Sequence, residues 1–177
     1  MGKIILVTGG ARSGKSKWAQ HHAESLSGPH FFLATAPVLD EEMAERVRRH
    51  QKDREGFHWK SIEEQIDLGN AIKQCDSGTI LIDCLTLWVN NLMYQAEQMK
   101  RVLNEDQIVE SAKKVADAVK SFNGTCIFVT NETGFGLIPE NPMARNFRDL
   151  AGRCNQVFAE SASEAWLLIS GISMKLK

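Results

Sequence analysis

The residues Gly9-Gly10-Ala11-Arg12-Ser13-Gly14-Lys15-Ser16 fit the pattern G-x-x-x-x-G-K-[ST], directly after the apolar run Ile4-Ile5-Leu6-Val7 and before a helical pattern. That context marks a phosphate-binding loop, or P-loop. Its glycines let successive backbone N–H groups turn inward around phosphate oxygens. Lys15 can reach the outer phosphates, and the Ser16 hydroxyl can ligate Mg²⁺ at the positive end of the next helix. The expected ligand is a nucleoside triphosphate with Mg²⁺. A plain Gly-rich turn is the alternative for the bare pattern, and the strand before it and helix after it separate the two readings.

A second chemical group ends another apolar run. Asp83 closes Thr79-Ile80-Leu81-Ile82, and in open α/β sheets ligands sit outside the carboxyl ends of strands. A carboxylate there can hold Mg²⁺ directly or through water; a helix cap for the segment starting at Cys84 is the alternative. Asn131 and Glu132 follow the later run Cys126-Ile127-Phe128-Val129 in the equivalent place. For them a site role and a polar strand-to-helix turn stand equal. The stretch Arg46 to Arg54 gathers four arginines, Lys52 and His50. On a helix Arg46, His50 and Arg54 share a face, which can grip triphosphate oxygens with His50 as proton carrier or nucleophile. It can equally be a solvated face balanced by Glu41, Glu42 and Glu45, and residue physics alone slightly favours that. His21, His22, His30 and His58 show no metal-ligand spacing, and the four tryptophans read as core.

The elements that must position these groups follow from periodicity. With 177 residues and 43% hydrophobic content, the chain suits one domain spanning residues 1–177. Short apolar runs alternate with longer amphipathic segments, which predicts an α/β, P-loop NTPase-like three-layer fold with a mostly parallel central sheet. Strands are expected at Ile4–Thr8, His30–Ala34, Thr79–Asp83 and Cys126–Val129, and Ala165–Ser170 with Ile172–Leu176 predicts a C-terminal β-hairpin. Helices are expected after the P-loop, over Glu41–Arg54 behind an Asp40 cap, around Ile62–Lys73, and over Leu85–Met99, Glu105–Phe122 and Met143–Ser161. The Gly- and Pro-bearing loop Thr133–Pro142 is either a wall of the ligand site or a plain connection. A net charge of −1 offers no global attraction for nucleic acid or anionic membrane, and no apolar run approaches the ~20 residues that span a bilayer. Cys75, Cys84, Cys126 and Cys154 lie far apart with no C-x-x-C pair, which reads as reduced thiols in a cytoplasmic protein.

Beyond the P-loop, Asp83-Cys84-Leu85-Thr86-Leu87-Trp88-Val89, Thr130-Asn131-Glu132-Thr133-Gly134, Pro139-Glu140-Asn141-Pro142 and Arg145-Asn146-Phe147-Arg148-Asp149-Leu150-Ala151-Gly152-Arg153 carry a far more specific pattern. Together they resemble the bifunctional adenosylcobinamide kinase / adenosylcobinamide-phosphate guanylyltransferase family of coenzyme B12 assembly, essentially from end to end. The resemblance implies a two-step enzyme. ATP or GTP phosphorylates the aminopropanol hydroxyl of adenosylcobinamide, and GMP then passes from GTP to that phosphate, giving adenosylcobinamide-GDP and pyrophosphate. It implies that the second step runs through a guanylylated histidine matching His50, which overrides the bland reading of the basic stretch. Arg49 precedes His50, so this chain has one imidazole there. Family nucleotide contacts map onto Gly9 to Ser16 (Gly9, Gly10, Ala11, Arg12, Ser13, Gly14, Lys15 and Ser16), Ala34, Thr35, Ala36, Gln51, Lys52, Asp53, Arg54, Glu63 and Asp83. His50 and Lys15 are then the catalytic pair, and Ser16 and Asp83 the Mg²⁺ ligands. A homotrimer is implied by the same resemblance.

Overall fold

Each short apolar run becomes a strand covered on both sides, which is why those runs are continuous rather than alternating with polar residues. In the computed structural model, which describes residues 1–37 and 57–177, the strands are β1 (Lys3–Gly9), β2 (His30–Ala34), β3 (Trp59–Glu63), β4 (Ser77–Asp83), β5 (Asn123–Val129), β6 (Glu164–Ile169) and β7 (Ile172–Lys175). They form one sheet in the order β3-β2-β4-β5-β1-β6-β7. Pairs from β3 through β6 are parallel, and β7 closes the edge antiparallel to β6 as the expected hairpin. The helices are α1 (Lys15–Glu24), α2 (Leu68–Lys73), α3 (Leu85–Gln98), α4 (Glu105–Ser121) and α5 (Pro142–Ser161).

Side-chain alternation along the strands builds two cores. Ile5, Val7, Leu81, Ile127 and Val129 pack with Ala19 and Ala23 of α1. Ile4, Leu6, Ile80, Ile82, Cys126 and Phe128 point the other way and pack under α2 to α5. The three layers are therefore α1, the sheet, and the remaining helices. This sidedness later decides which strand-end residues look toward the P-loop.

The helix expected around Ile62–Lys73 is a correction. Trp59 to Glu63 is a parallel edge strand against β2, and helix begins only at Leu68. Local polar bonding explains the break: Glu64 Oε1 accepts from the backbone N–H groups of Ile66 and Asp67, and Asp67 then caps α2 by accepting from Asn70 N–H. Such side-chain bonds offer the backbone an alternative to helix. The remaining boundaries differ from expectation by a few residues, chiefly because β4 and β5 start earlier, at Ser77 and Asn123. The expected helix Glu41–Arg54 lies outside the described residues.

All four cysteines are buried and free. Burial raises each thiol above its ordinary range, Cys84 to about 11 with help from the neighbouring Asp83 charge. They behave as small core hydrophobes rather than nucleophiles. Among the described residues no helix is long and apolar enough to cross a membrane.

Candidate nucleotide site

Parallel register aligns the strand ends in one row. Val7 of β1 lies opposite Val129 of β5, Val129 opposite Asp83 of β4, Asp83 opposite Ala34 of β2, and Ala34 opposite Glu63 of β3. Residues just past this row form the carboxyl edge of the sheet, where ligands of open α/β sheets sit. Strand spacing of about 4.8 Å puts Glu63 roughly 19 Å from the P-loop strand. One phosphate group cannot touch both ends, so a ligand filling this edge is extended or is two molecules.

At one end stands the P-loop. Gly9 has φ of 155° and a side chain there would run into Leu168 O at 2.5 Å and Ser13 Oγ at 2.7 Å, so only glycine lets β1 turn against β6. Arg12 and Gly14 both take positive φ, 57° and 91°. Alternating hand along the loop turns consecutive N–H groups toward one centre, the arrangement that cradles anions, and α1 adds its N-terminus immediately after. Two bonds fix the shape: Ser13 N–H donates to Gly10 O at 3.2 Å, and Gly171 N–H donates to Ser13 O at 2.9 Å. The second comes from the β6–β7 turn, so the C-terminal hairpin props the loop. That role had no signal in the sequence beyond the hairpin itself.

Lys15 is half-buried and folds back over its own loop, donating from Nζ to Gly10 O at 3.1 Å. Burial lowers its pKa from 10.5, while the Asp83 carboxylate pulls it partly back. A half-buried cation beside the Asp83 carboxylate is ready to exchange a weak carbonyl bond for phosphate oxygens. Asp83 ends β4 on the α1 side of the sheet, since Leu81 two residues earlier packs there. The candidate metal ligands Ser16 and Asp83 thus both belong to the P-loop end.

The turn that carries Asp83 is pinned by Thr35. The Thr35 hydroxyl accepts from Cys84 N–H at 2.7 Å and donates to Cys84 O at 2.8 Å. Thr35 N–H donates to Asp83 O, and Asn91 Nδ2 donates to Thr35 O at 2.8 Å. Thr35 is fully buried and its side chain is committed to this bracket. Its contribution to the site is to hold Asp83, while Ala34 and Ala36 present small surfaces beside it. Glu63 is exposed at the far end of the row. His50 and Gln51, Lys52, Asp53 and Arg54 lie outside the described residues.

A second bracket, which sequence reasoning left undecided, surrounds Asn131. Thr130 N–H donates to Val7 O and Glu132 N–H to Gly9 O, so the β5–β1 ladder runs on past the strand end. Asn131 N–H donates to Thr86 Oγ1 at 2.9 Å, Asn155 Nδ2 donates to Asn131 O at 3.1 Å, and Thr130 Oγ1 donates to Asn155 Oδ1 at 2.7 Å. Both backbone groups of Asn131 are thereby engaged. The Glu132 carboxylate accepts from Gly134 N–H and so closes the turn into the loop 133–142. That loop is tied to α5 by Arg148, which donates to Gly134 O, and by Arg145, which donates to Pro139 O. Its apolar side chains Phe135, Leu137 and Ile138 stand exposed. Next to it, an apolar groove of about 630 Å³ runs between α3 and the start of α5, lined by Met93, Tyr94, Leu103, Met143 and Phe147 among others.

Comparison with known proteins agrees with this geometry. The model of the CobU family, described as cobinamide kinase / cobinamide phosphate guanyltransferase, matches residues 5–176. A bifunctional adenosylcobalamin biosynthesis protein CobU of Salmonella typhimurium is 40% identical, covering 98% of this chain and 99% of its own length. The protein of the same name from Escherichia coli is 37% identical with the same coverage. A bifunctional adenosylcobalamin biosynthesis protein CobP of Pseudomonas aeruginosa is 32% identical over 97% of this chain and 96% of its own. Among solved structures, an ATPase of a bacterial type III secretion system superposes with a TM-score of 0.60 at 11% identity, covering 99% of this chain. This chain spans just over half of that ATPase, 57%, and the likeness is one of fold: the mostly parallel, P-loop-bearing sheet expected from the sequence.

Proposed function

The chain belongs to the cobinamide kinase / cobinamide phosphate guanyltransferase family, and from that premise we propose that it catalyses both reactions on adenosylcobinamide. ATP or GTP phosphorylates the aminopropanol hydroxyl, and GTP then donates GMP to the new phosphate, leaving pyrophosphate and adenosylcobinamide-GDP. The observation that carries this reading is a family match running nearly from end to end over a chain whose P-loop, Lys15 and Asp83 converge at one edge of the sheet.

In the kinase step the P-loop N–H groups and the α1 N-terminus hold the phosphates, and Lys15 leaves Gly10 O to neutralise charge on the transferring group. The Ser16 hydroxyl and Asp83 carboxylate are hard oxygen donors of the kind Mg²⁺ takes, with phosphate oxygens and water completing its shell. Bound there, Mg²⁺ would supply charge neutralisation across the phosphates. In the transfer step neutral His50 attacks the α-phosphorus in line and pyrophosphate departs; the corrinoid phosphate then displaces His50 from phosphorus. Two inversions predict net retention at phosphorus. Arg and Lys in 46–54 stabilise the transferring charge, and Ala34, Ala36, Gln51 to Arg54 and Glu63 belong to the nucleotide's reach. The exposed apolar residues of the loop 133–142 suit the wall of a corrinoid site, where a macrocycle's apolar faces need cover. The reading places the enzyme in the cytoplasm, as a homotrimer.

The direct test is a timed incubation of the protein with adenosylcobinamide, GTP and Mg²⁺, following corrinoid masses. A phosphate adduct followed by a GDP adduct is expected. Accumulation of the phosphate alone would leave only a small-molecule kinase on this scaffold. Sedimentation equilibrium is expected to return three times the chain mass of 19.8 kDa, and a concentration-independent monomer would refute the trimer.

A further inference from the structure

Among the described residues three shielded side-chain atoms lack a hydrogen-bond partner, Thr8 Oγ1 at the end of β1, Ser13 Oγ in the P-loop and one atom of Asn131, which alone lies outside the P-loop strand and its loop. Asn131 Oδ1 is closed off from solvent and has no hydrogen-bond partner among the described residues, although three neighbouring groups engage that residue's backbone and that of Thr130. Native proteins rarely leave a buried polar atom unpaired, and each case calls for an explanation. Direction supplies it. The continued β5–β1 ladder keeps the strand alternation, so Asn131 faces the same side as Ile127 and Val129, the side on which α1 packs. Thr130 faces the opposite side, as its bond to Asn155 of α5 records. β5 is also the strand that separates the P-loop strand from the Asp83 strand, with Val129 opposite both Val7 and Asp83. The Asn131 side chain therefore leaves the sheet on the α1 side, from the end of the strand that lies between the P-loop strand and the Asp83 strand.

We propose that Asn131 is a catalytic residue of the kinase step, its amide contacting the γ-phosphoryl end of the nucleotide and the incoming alcohol. The amide turns about its side-chain torsions as the ligands enter, so that Nδ2 donates to a γ-phosphoryl oxygen and Oδ1, shielded in the free protein, accepts from the aminopropanol hydroxyl, which lines that oxygen up with phosphorus. As the alcohol oxygen bonds to the γ-phosphorus, the bond from that phosphorus to the β,γ-bridging oxygen breaks and the nucleoside diphosphate leaves. The hydroxyl proton passes to an oxygen of the transferred phosphoryl group, and the amide takes none. This assignment separates two residues that the sequence left equal. Glu132 points away from α1 and spends its carboxylate on the Gly134 turn, whereas Asn131 is the one kept free.

The inference rests on the kinase half of the proposed function, so its test needs a readout that does not. The affinities of GDP and of a GTP analogue with a non-hydrolysable β,γ bridge are measured on the native protein, Asn131→Ala, Asn131→Asp and Glu132→Gln, together with melting in the absence of nucleotide and kinase turnover. For Asn131→Ala we expect unchanged GDP affinity, about a tenfold loss for the analogue, a melting midpoint no lower than native, and a kinase kcat about 100-fold down. Asn131→Asp, isosteric but negative beside the γ-phosphate, is expected to fold and to lose at least as much. Glu132→Gln is expected to stay within about threefold. Equal loss of GDP and analogue affinity, a lowered midpoint in both Asn131 variants, full kinase activity in either, or an equal loss in Glu132→Gln overturns the assignment. A native protein that leaves adenosylcobinamide unphosphorylated refutes the proposed function instead, and the GDP-against-analogue comparison still decides Asn131.

Discussion

His50→Ala is expected to abolish covalent labelling of the chain by α-labelled GTP while leaving phosphorylation of adenosylcobinamide within about threefold of native. The native chain should carry an acid-labile, base-stable label after incubation with GTP and Mg²⁺ alone, as a phosphoramidate does. The reason for so complete an effect is that nucleophilic catalysis has no partial form: without the attacking imidazole the intermediate does not exist, and direct transfer between two anionic phosphates must proceed without the step that split its barrier. Arg49 in the preceding position cannot substitute, because a guanidinium remains protonated and has no free nucleophilic nitrogen. The phosphoryl step uses Lys15 and Asp83 at the P-loop end instead, which is why the two activities should separate. Label surviving on His50→Ala would move the nucleophile elsewhere. Parallel loss of both activities with intact folding would mean that His50 serves the shared nucleotide rather than one step.

How far the site was legible depends on which force placed each residue. The P-loop was plain in sequence because its glycines answer a backbone demand: Gly9 and Gly14 occupy conformations that side chains resist, and such demands leave a fixed spacing behind. Asp83 was legible because a carboxylate at the end of an apolar run is chemically incongruous. The three-layer fold followed from the alternation of runs, and among the described residues the element misread, Ile62–Lys73, failed where Glu64 and Asp67 redirected the backbone by side-chain bonds that periodicity does not register. Thr86 and Asn155 were invisible as site residues, and Thr35 was named only through the family resemblance, as a nucleotide contact. Their role is to hold Asp83 and Asn131 through contacts spanning between 24 and 49 positions, and no local pattern encodes such a pairing. The hairpin's support of Ser13 through Gly171 is longer still.

Lys15→Met should cost about 10² to 10³ in kinase kcat without lowering the thermal midpoint at neutral pH. The activity loss follows from the loss of a cation aimed at charge that develops on the transferring phosphoryl group, and Met keeps the aliphatic stem that packs beside the loop. Stability moves the other way. Burial lowers the Lys15 pKa from 10.5, so the folded state holds its ammonium less favourably than the unfolded chain does. A lowered pKa on a cationic group is a cost of folding at every pH below the folded value, and it fades as pH rises through that value toward 10.5. Asp83 offsets part of it, and because the side chain is only half-buried, solvent screening keeps the net increment small. Met removes the cost, so the variant should melt at or slightly above the native protein near pH 7, with the difference closing at strongly alkaline pH. The Gly10 O bond it forfeits is exposed, and water can replace it. Calorimetry at two pH values beside single-turnover kinetics would check both halves. Stability and activity falling together would make Lys15 a structural strut of the P-loop, whereas activity lost from an equally stable fold is the signature of a cation kept under strain for the phosphate it meets.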